Sequence, residues 1–195
     1  MNLPNKLTLA RLGFTVAFMV ALFVSFPYHH TMALLLFVLG SLTDHLDGRL
    51  ARRYNMITNF GKLMDPLADK IFTCSAFIAF VGLKLMPAWM VVVIVAREFA
   101  ITGLRTLAAT QNRILAAEGF GKHKTVSQII CIIAMLVSLC VPEWGWLGKW
   151  FIIPLAGVPW VFQLVVAMQW VTVALTIISG TLYLWRNHQM FTVGA

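Results

Sequence analysis

The sequence predicts an all-α, polytopic membrane protein: a bundle of six transmembrane helices with both termini on the cytoplasmic side. Three observations lead there. Of 195 residues, 60% are hydrophobic and only 11% charged, with a mean hydropathy of +0.84, whereas soluble domains carry about 25% charged residues. The apolar residues gather into six stretches, each near the length of about 20 residues that a helix needs to cross a bilayer. Lysine and arginine concentrate on alternate connections, as the positive-inside rule requires. A single membrane domain over 1–195 follows, with little mass outside the bilayer.

The spans are expected at 6–27, 31–54, 62–83, 87–109, 122–141 and 160–186. They are separated at Pro27–His30, Tyr54–Gly61, Lys84–Pro87, Thr110–Gly121 and Pro142–Pro159, and each break holds Pro, Gly, Asn or charge. The apolar stretch from Leu12 to Tyr28 is long enough to persist as a span and shows no small-residue cleavage site, so no cleavable signal peptide is expected.

With the N-terminus inside, the inner ends carry Lys6, Arg11, Arg49, Arg52, Arg53, Lys62, Lys70, Arg97, Arg105, Arg113, Lys122, Lys124 and Arg186, and the outer side only Lys84 and Lys149. This asymmetry accounts for the formal charge of +8 without a nucleic-acid partner. Trp89, Trp144, Trp146, Trp150 and Trp160 fall at outer ends, where an interfacial aromatic belt belongs. Cys74, Cys131 and Cys140 lie in apolar runs without metal-type spacing and read as small packing residues. His29, His30 and His188 sit at membrane surfaces and are expected to be inert.

Ionisable groups inside apolar spans cost about 2.5–3.5 kcal/mol each on insertion scales, which makes them functional candidates. Four of the seven acidic residues, Asp44, Asp47, Asp65 and Asp69, crowd the inner end of the second span and the start of the third. Asp44 and Asp47 are three apart and share a helical face; Asp65 and Asp69 are four apart and share another. Gly48 and Ala51 leave room beside the carboxylates for a phosphate or nucleotide. Pro66 fits best in a first helical turn, with Asp65 near the N-cap. Four carboxylates pressed together in low dielectric repel and take up protons unless a cation intervenes. Hard oxygen ligands suit Mg²⁺, Mn²⁺ or Ca²⁺, and four of them on two helices could hold two ions, an arrangement suited to phosphoryl-type displacement. Arg52 is near enough in sequence to neutralise a diphosphate. An ion-paired hairpin, with the aspartates bound to Arg49, Arg52 or Lys62, is the competing reading; four aspartates and two glycines at this spacing exceed what it needs.

The pattern D-x₂-D-G-x₂-A-R-x₈-G-x₃-D-x₃-D, filled at every fixed position from Asp44 to Asp69, resembles the signature of the CDP-alcohol phosphatidyltransferases. The similarity extends to Asn2–Arg11, to Arg97-Glu98-Phe99 with Gly103-Leu104-Arg105, and to Gly121-Lys122-His123-Lys124-Thr125. These segments are most similar to the branch of that family whose acceptor is glycerol 3-phosphate. The last third of the chain matches only in being hydrophobic.

What the resemblance implies is a six-helix membrane enzyme, in its family a homodimer, that moves the phosphatidyl group of CDP-diacylglycerol to sn-glycerol 3-phosphate and releases CMP. It implies that Asp44, Asp47, Asp65 and Asp69 bind two divalent ions, Mg²⁺ or Mn²⁺, and that Asp69 is also the general base. Gly48, Arg52 and Thr58 correspond to contacts with the CDP moiety, and the stripe Asn5, Thr8 and Arg11 to a cover over the nucleotide. His45, Leu46, Arg49 and Leu50 fall at variable positions of the motif.

Arg97, Arg105, Lys122 and Lys124 are the candidate ligands of the acceptor phosphate, because a dianion approaching a diphosphate and four aspartates needs its own cations. Two plainer readings stand beside this: Glu98 in a buried ion pair that ties the fourth span to a neighbour, and Lys122 and Lys124 as ordinary inner-side charge. Among other functions, a small ion-coupled transporter fits poorly, since the acidic cluster lies near the inner boundary and no inverted repeat is visible. A transferase of the same fold acting on inositol phosphate, serine, choline or phosphatidylglycerol remains the alternative.

Overall fold

The computed structural model describes the backbone of residues 3–54, 59–110, 120–155 and 157–187, and the side chains of 9–43, 70–108, 124–155 and 157–187. Those residues form six α-helices: α1 (Leu3–Phe23), α2 (His29–Tyr54), α3 (Asn59–Gly82), α4 (Ala88–Thr110), α5 (Phe120–Cys140) and α6 (Trp160–Arg186). Between α5 and α6 lie a 3₁₀ turn (Leu147–Phe151) and a two-residue antiparallel ribbon, β1 (Pro154–Leu155) with β2 (Val158–Pro159). The expected spans coincide with the six helices to within a few residues. α1 stops at Phe23, short of the expected 27, because Pro27 follows closely and the residue before a proline avoids helical geometry.

α3 begins at Asn59, so Pro66 lies inside the helix and Asp65 is not its N-cap. This differs from the expectation. Pro66 has no N–H to offer, so the backbone ladder omits one rung there. The α3 end is closed by a Schellman-type cap: the Leu85 N–H donates to the Phe80 carbonyl at 2.9 Å and the Lys84 N–H to the Val81 carbonyl at 3.0 Å. Lys84 occupies the left-handed position with φ 58°.

α1, α2 and α3 pack around an aromatic knot. The Phe37 and Phe72 rings stack at 5.0 Å, and Phe18 lies edge-on to Phe72 at 6.1 Å. Gly40 lets Phe72 in: a Cβ at that position would stand 2.7 Å from Phe72 Cζ, which demands a repacking that typically costs about 1–3 kcal/mol. This is where α2 meets α3. Gly40 lies one turn before Asp44 and Phe72 three residues after Asp69, so the close approach holds together the two helical segments that carry the aspartates. α5 packs along α6, α4 also rests on α6, and α2 on α5.

The far end of the bundle is closed by Glu143, in the turn after α5. One of its carboxylate oxygens accepts from the His30 N–H at 2.9 Å and lies 2.9 Å from His30 Nδ1; the other accepts from the Thr31 N–H at 2.9 Å and Thr31 Oγ1 at 2.7 Å. Glu143 thus caps the open N–H groups of α2 from 113 residues away. Trp144 Nε1 donates to Thr31 Oγ1 at 3.0 Å and closes the turn over it.

Burial pushes the Glu143 carboxyl up, but the Thr31 hydroxyl, the two backbone N–H donors and the His30 charge outweigh it and hold it below its ordinary value of 4.5. Burial, and then the charge of His29, lower His30 from 6.5 against the opposing pull of Glu143. Both shifts act in one direction. The stability from Glu143 is complete above 4.5 and is lost as pH falls through its depressed folded value; below 6.5 the unfolded chain takes up the His30 proton more readily than the folded one. We therefore expect Glu143→Ala to destabilise the protein by about 1–3 kcal/mol at neutral pH, to remove the loss that Glu143 itself causes below pH 4.5, and, because nothing then opposes burial at His30, to deepen the loss between pH 6.5 and 4.5. Thermal unfolding in detergent across these pH values measures each effect.

Candidate active site

The residues of the acidic motif lie on two helices. Asp44, Asp47, Gly48 and Arg52 fall in the second half of α2, and Asp65 and Asp69 in the first half of α3. Each pair lies within a single helix, where positions three or four apart fall on one face. Their side chains lie outside the described residues, as do those of Asn5, Thr8 and Lys122; Asn5 and Thr8 belong to the start of α1 and Lys122 to the start of α5. Thr58 lies outside the described residues altogether. Arg11, on the stripe with Asn5 and Thr8, is half-buried on α1.

Directly beyond the motif the side chains form a buried charged cluster. Glu98, 6% exposed on α4, accepts from Lys70 Nζ of α3 at 2.9 Å through Oε2. Its Oε1 pairs with Arg97 Nη1 at 3.3 Å and with Lys124 Nζ of α5, and accepts from Gln128 Nε2 at 3.3 Å. Arg97 also donates to Ser179 Oγ of α6 at 3.2 Å. Its stem crosses Gly180, where a Cβ would lie 2.9 Å from Arg97 Cγ. Two turns along α4, the exposed Arg105 donates from Nε to the Tyr183 hydroxyl at 3.4 Å and sits with its guanidinium 5.5 Å from the Tyr183 ring centre.

Of the four expected phosphate ligands, the structure brings Arg97 and Lys124 together on Glu98 and sets Arg105 apart on Tyr183. The buried ion pair weighed for Glu98 is present, and Arg97 takes part in it. Lys70 was expected only as inner-side charge, yet it is part of the cluster; its position directly after Asp69 was the available signal. The contribution of α6 was also missed. Gln169, Thr172, Thr176, Ser179 and Tyr183 recur at alternating steps of three and four, all are buried, and the spacing of polar residues in an otherwise apolar helix could have revealed them.

His29, His30 and Glu143 form a second group whose ligand atoms lie within 4.8 Å of one another, close enough to hold a metal ion. It stands at the opposite end of α2 from the aspartates. Both Glu143 oxygens are already engaged in capping α2, as described above.

The chain matches the family model for CDP-alcohol phosphatidyltransferases over residues 1–178. It belongs to that family. Its relatives include a Bacillus subtilis protein named CDP-diacylglycerol–glycerol-3-phosphate 3-phosphatidyltransferase, 39% identical over 95% of this chain and 95% of that one. A Rickettsia bellii protein of the same name is 34% identical over 70% of this chain and 76% of its own. A Mycobacterium tuberculosis protein named "Probable phosphatidylglycerophosphate synthase" is 36% identical over 95% of this chain and 81% of its own. The matched residues include the acidic motif on α2 and α3 and the charged cluster where α3, α4 and α5 meet.

Proposed function

We propose that this chain transfers the phosphatidyl group from CDP-diacylglycerol to sn-glycerol 3-phosphate, giving phosphatidylglycerophosphate and CMP. The observation that carries the reading is the junction of the two clusters. Lys70, adjacent in sequence to Asp69, shares Glu98 with Arg97 and Lys124, so cations suited to an acceptor phosphate gather next to the acidic motif. The names of relatives that align over most of the chain support the same acceptor.

The donor set fits hard divalent ions: two carboxylates on each of two helices that touch at Gly40 and Phe72, with oxygen the only ligand type. Asp44, Asp47, Asp65 and Asp69 are the residues that would hold two ions, Mg²⁺ or Mn²⁺, which when bound neutralise charge on the diphosphate. Gly48, Arg52 and Thr58 take the CDP moiety, and Asn5, Thr8 and Arg11 close over the nucleotide. Arg97, Arg105, Lys122 and Lys124 hold the acceptor phosphate. Asp69 receives the proton of the acceptor hydroxyl as its oxygen bonds to the phosphatidyl phosphorus. The bridging bond to the CMP phosphate breaks, and CMP leaves with that electron pair.

The same reading makes residues 1–195 one domain in the cell inner membrane, multi-pass and homodimeric, with both termini and the site facing the cytoplasm. α6 is long and apolar enough to cross a bilayer, and apolar stretches of 10–17 residues lie within α1, α2, α3 and α5. Large apolar side chains such as Val16, Leu35, Val92 and Val166 face outward, while Glu98, Lys124, Gln128 and Thr172 are buried. That distribution suits a lipid exterior.

CMP release by purified protein, measured with CDP-diacylglycerol and a panel of acceptors, tests the reading. Turnover with glycerol 3-phosphate is expected; a preference for serine or an uncharged alcohol would defeat it. Arg105→Ala should raise the KM for glycerol 3-phosphate roughly ten- to a hundredfold, the equivalent of about 1.5–3 kcal/mol for one lost charged hydrogen bond, and leave that for the lipid donor unchanged.

A further inference from the structure

Glu98 has a role that its burial alone does not account for. A carboxylate is a poor ligand for a phosphate, yet this one sits among the cations assigned to the acceptor. Tying α4 to a neighbour requires one cation. Glu98 gathers three, from three helices: Lys70 at 2.9 Å, Arg97 at 3.3 Å and Lys124. Gln128 adds a neutral donor at 3.3 Å, and Ser179 fixes the far side of the Arg97 guanidinium at 3.2 Å. Three like charges this close repel, and they repel more strongly where water is scarce. The carboxylate at their centre offsets that repulsion and sets their spacing before any ligand arrives, which is the form that preorganisation takes in an anion site.

We propose that Glu98 is a positioning residue for the acceptor. It gathers Arg97 and Lys124 on one carboxylate oxygen, as a cradle for a phosphate monoester dianion, and through Lys70 it ties that cradle to the α3 segment bearing Asp69. The inference rests on the phosphatidyl-transfer reading and deepens it, because it makes selection of a phosphorylated acceptor depend on a residue that does not touch the acceptor. Removing the charge while keeping the shape should release the cations from one another. Shortening the side chain by one methylene should keep the charge but reach fewer of them.

The experiment is steady-state CMP release by wild type, Glu98→Gln and Glu98→Asp, with glycerol 3-phosphate and CDP-diacylglycerol titrated in turn and thermal unfolding recorded alongside. For Glu98→Gln the acceptor KM should rise at least tenfold, while the KM for CDP-diacylglycerol stays within about twofold. Glu98→Asp should fall between it and wild type. Should Glu98→Gln fail to fold, the aspartate variant decides alone: a raised acceptor KM at unchanged donor KM supports the proposal. An unchanged acceptor KM in a folded variant overturns it. Equal rises in both constants together with lost thermal stability also overturn it, because they mark a purely structural staple. Either result with a wild type active on glycerol 3-phosphate leaves the functional reading standing. A wild type that ignores glycerol 3-phosphate and turns over with serine sinks both.

Discussion

Asp44→Asn, Asp47→Asn and Asp65→Asn should each reduce CMP release at least about a thousandfold, and excess chelator should do the same to the unaltered protein. A metal ion at a phosphoryl centre supplies several kcal/mol of transition-state charge stabilisation, and about 4 kcal/mol is a thousandfold in rate. Asparagine keeps the size of the side chain and one oxygen but removes the charge that makes carboxylates cluster-forming metal ligands. The three positions should therefore behave alike, although they belong to two helices. Activity measured across a Mg²⁺ and a Mn²⁺ titration gives the check: a variant that recovers at high metal concentration has lost affinity alone. Full turnover by the wild type in chelator would remove metals from the account.

Asp69→Asn should separate chemistry from binding. A general base contributes about 10²–10⁴-fold to turnover and little to ground-state affinity, so kcat should fall by that factor while CDP-diacylglycerol binding persists. Lys70, the next residue, pairs with Glu98 at 2.9 Å, which ties this part of α3 to Arg97 and Lys124. Equilibrium binding of the nucleotide lipid, measured beside single-turnover CMP release, distinguishes the outcomes. Parallel loss of both would make Asp69 a ligand without a role as base.

Much of this architecture was legible because lipid imposes simple rules. The apolar runs and their Pro and Gly breaks located all six helices, with α6 matching at both ends. The acidic motif was legible for the opposite reason: four charges in an apolar context have few innocent explanations. What escaped notice depends on distance in sequence. Glu143 caps α2 from 113 residues away, and nothing local to His30 or Thr31 announces it. Pro66 misled because a proline most often marks a first turn, whereas here α3 starts seven residues earlier, at Asn59. The pairing of Arg97 with Ser179 spans 82 residues and follows from tertiary packing alone.

The polar seam of α6 bears on how the protein is made. α6 follows the other five described helices in the chain, and it is long and apolar enough to cross a bilayer. The groups that dock it point the other way: Thr172 donates to the Ser127 carbonyl of α5 at 3.1 Å, Gln169 to the Leu85 carbonyl at 2.8 Å, and Ser179 and Tyr183 receive Arg97 and Arg105. We expect insertion and docking to be separate events, driven by opposite faces of one segment. Until the second occurs, Arg97 lacks its Ser179 contact and Arg105 its Tyr183 contact, even though every residue of the acidic motif precedes α6 in the chain. A chain truncated ahead of α6 is expected to carry the acidic motif without the α6 groups that receive Arg97 and Arg105, so CMP release should require α6.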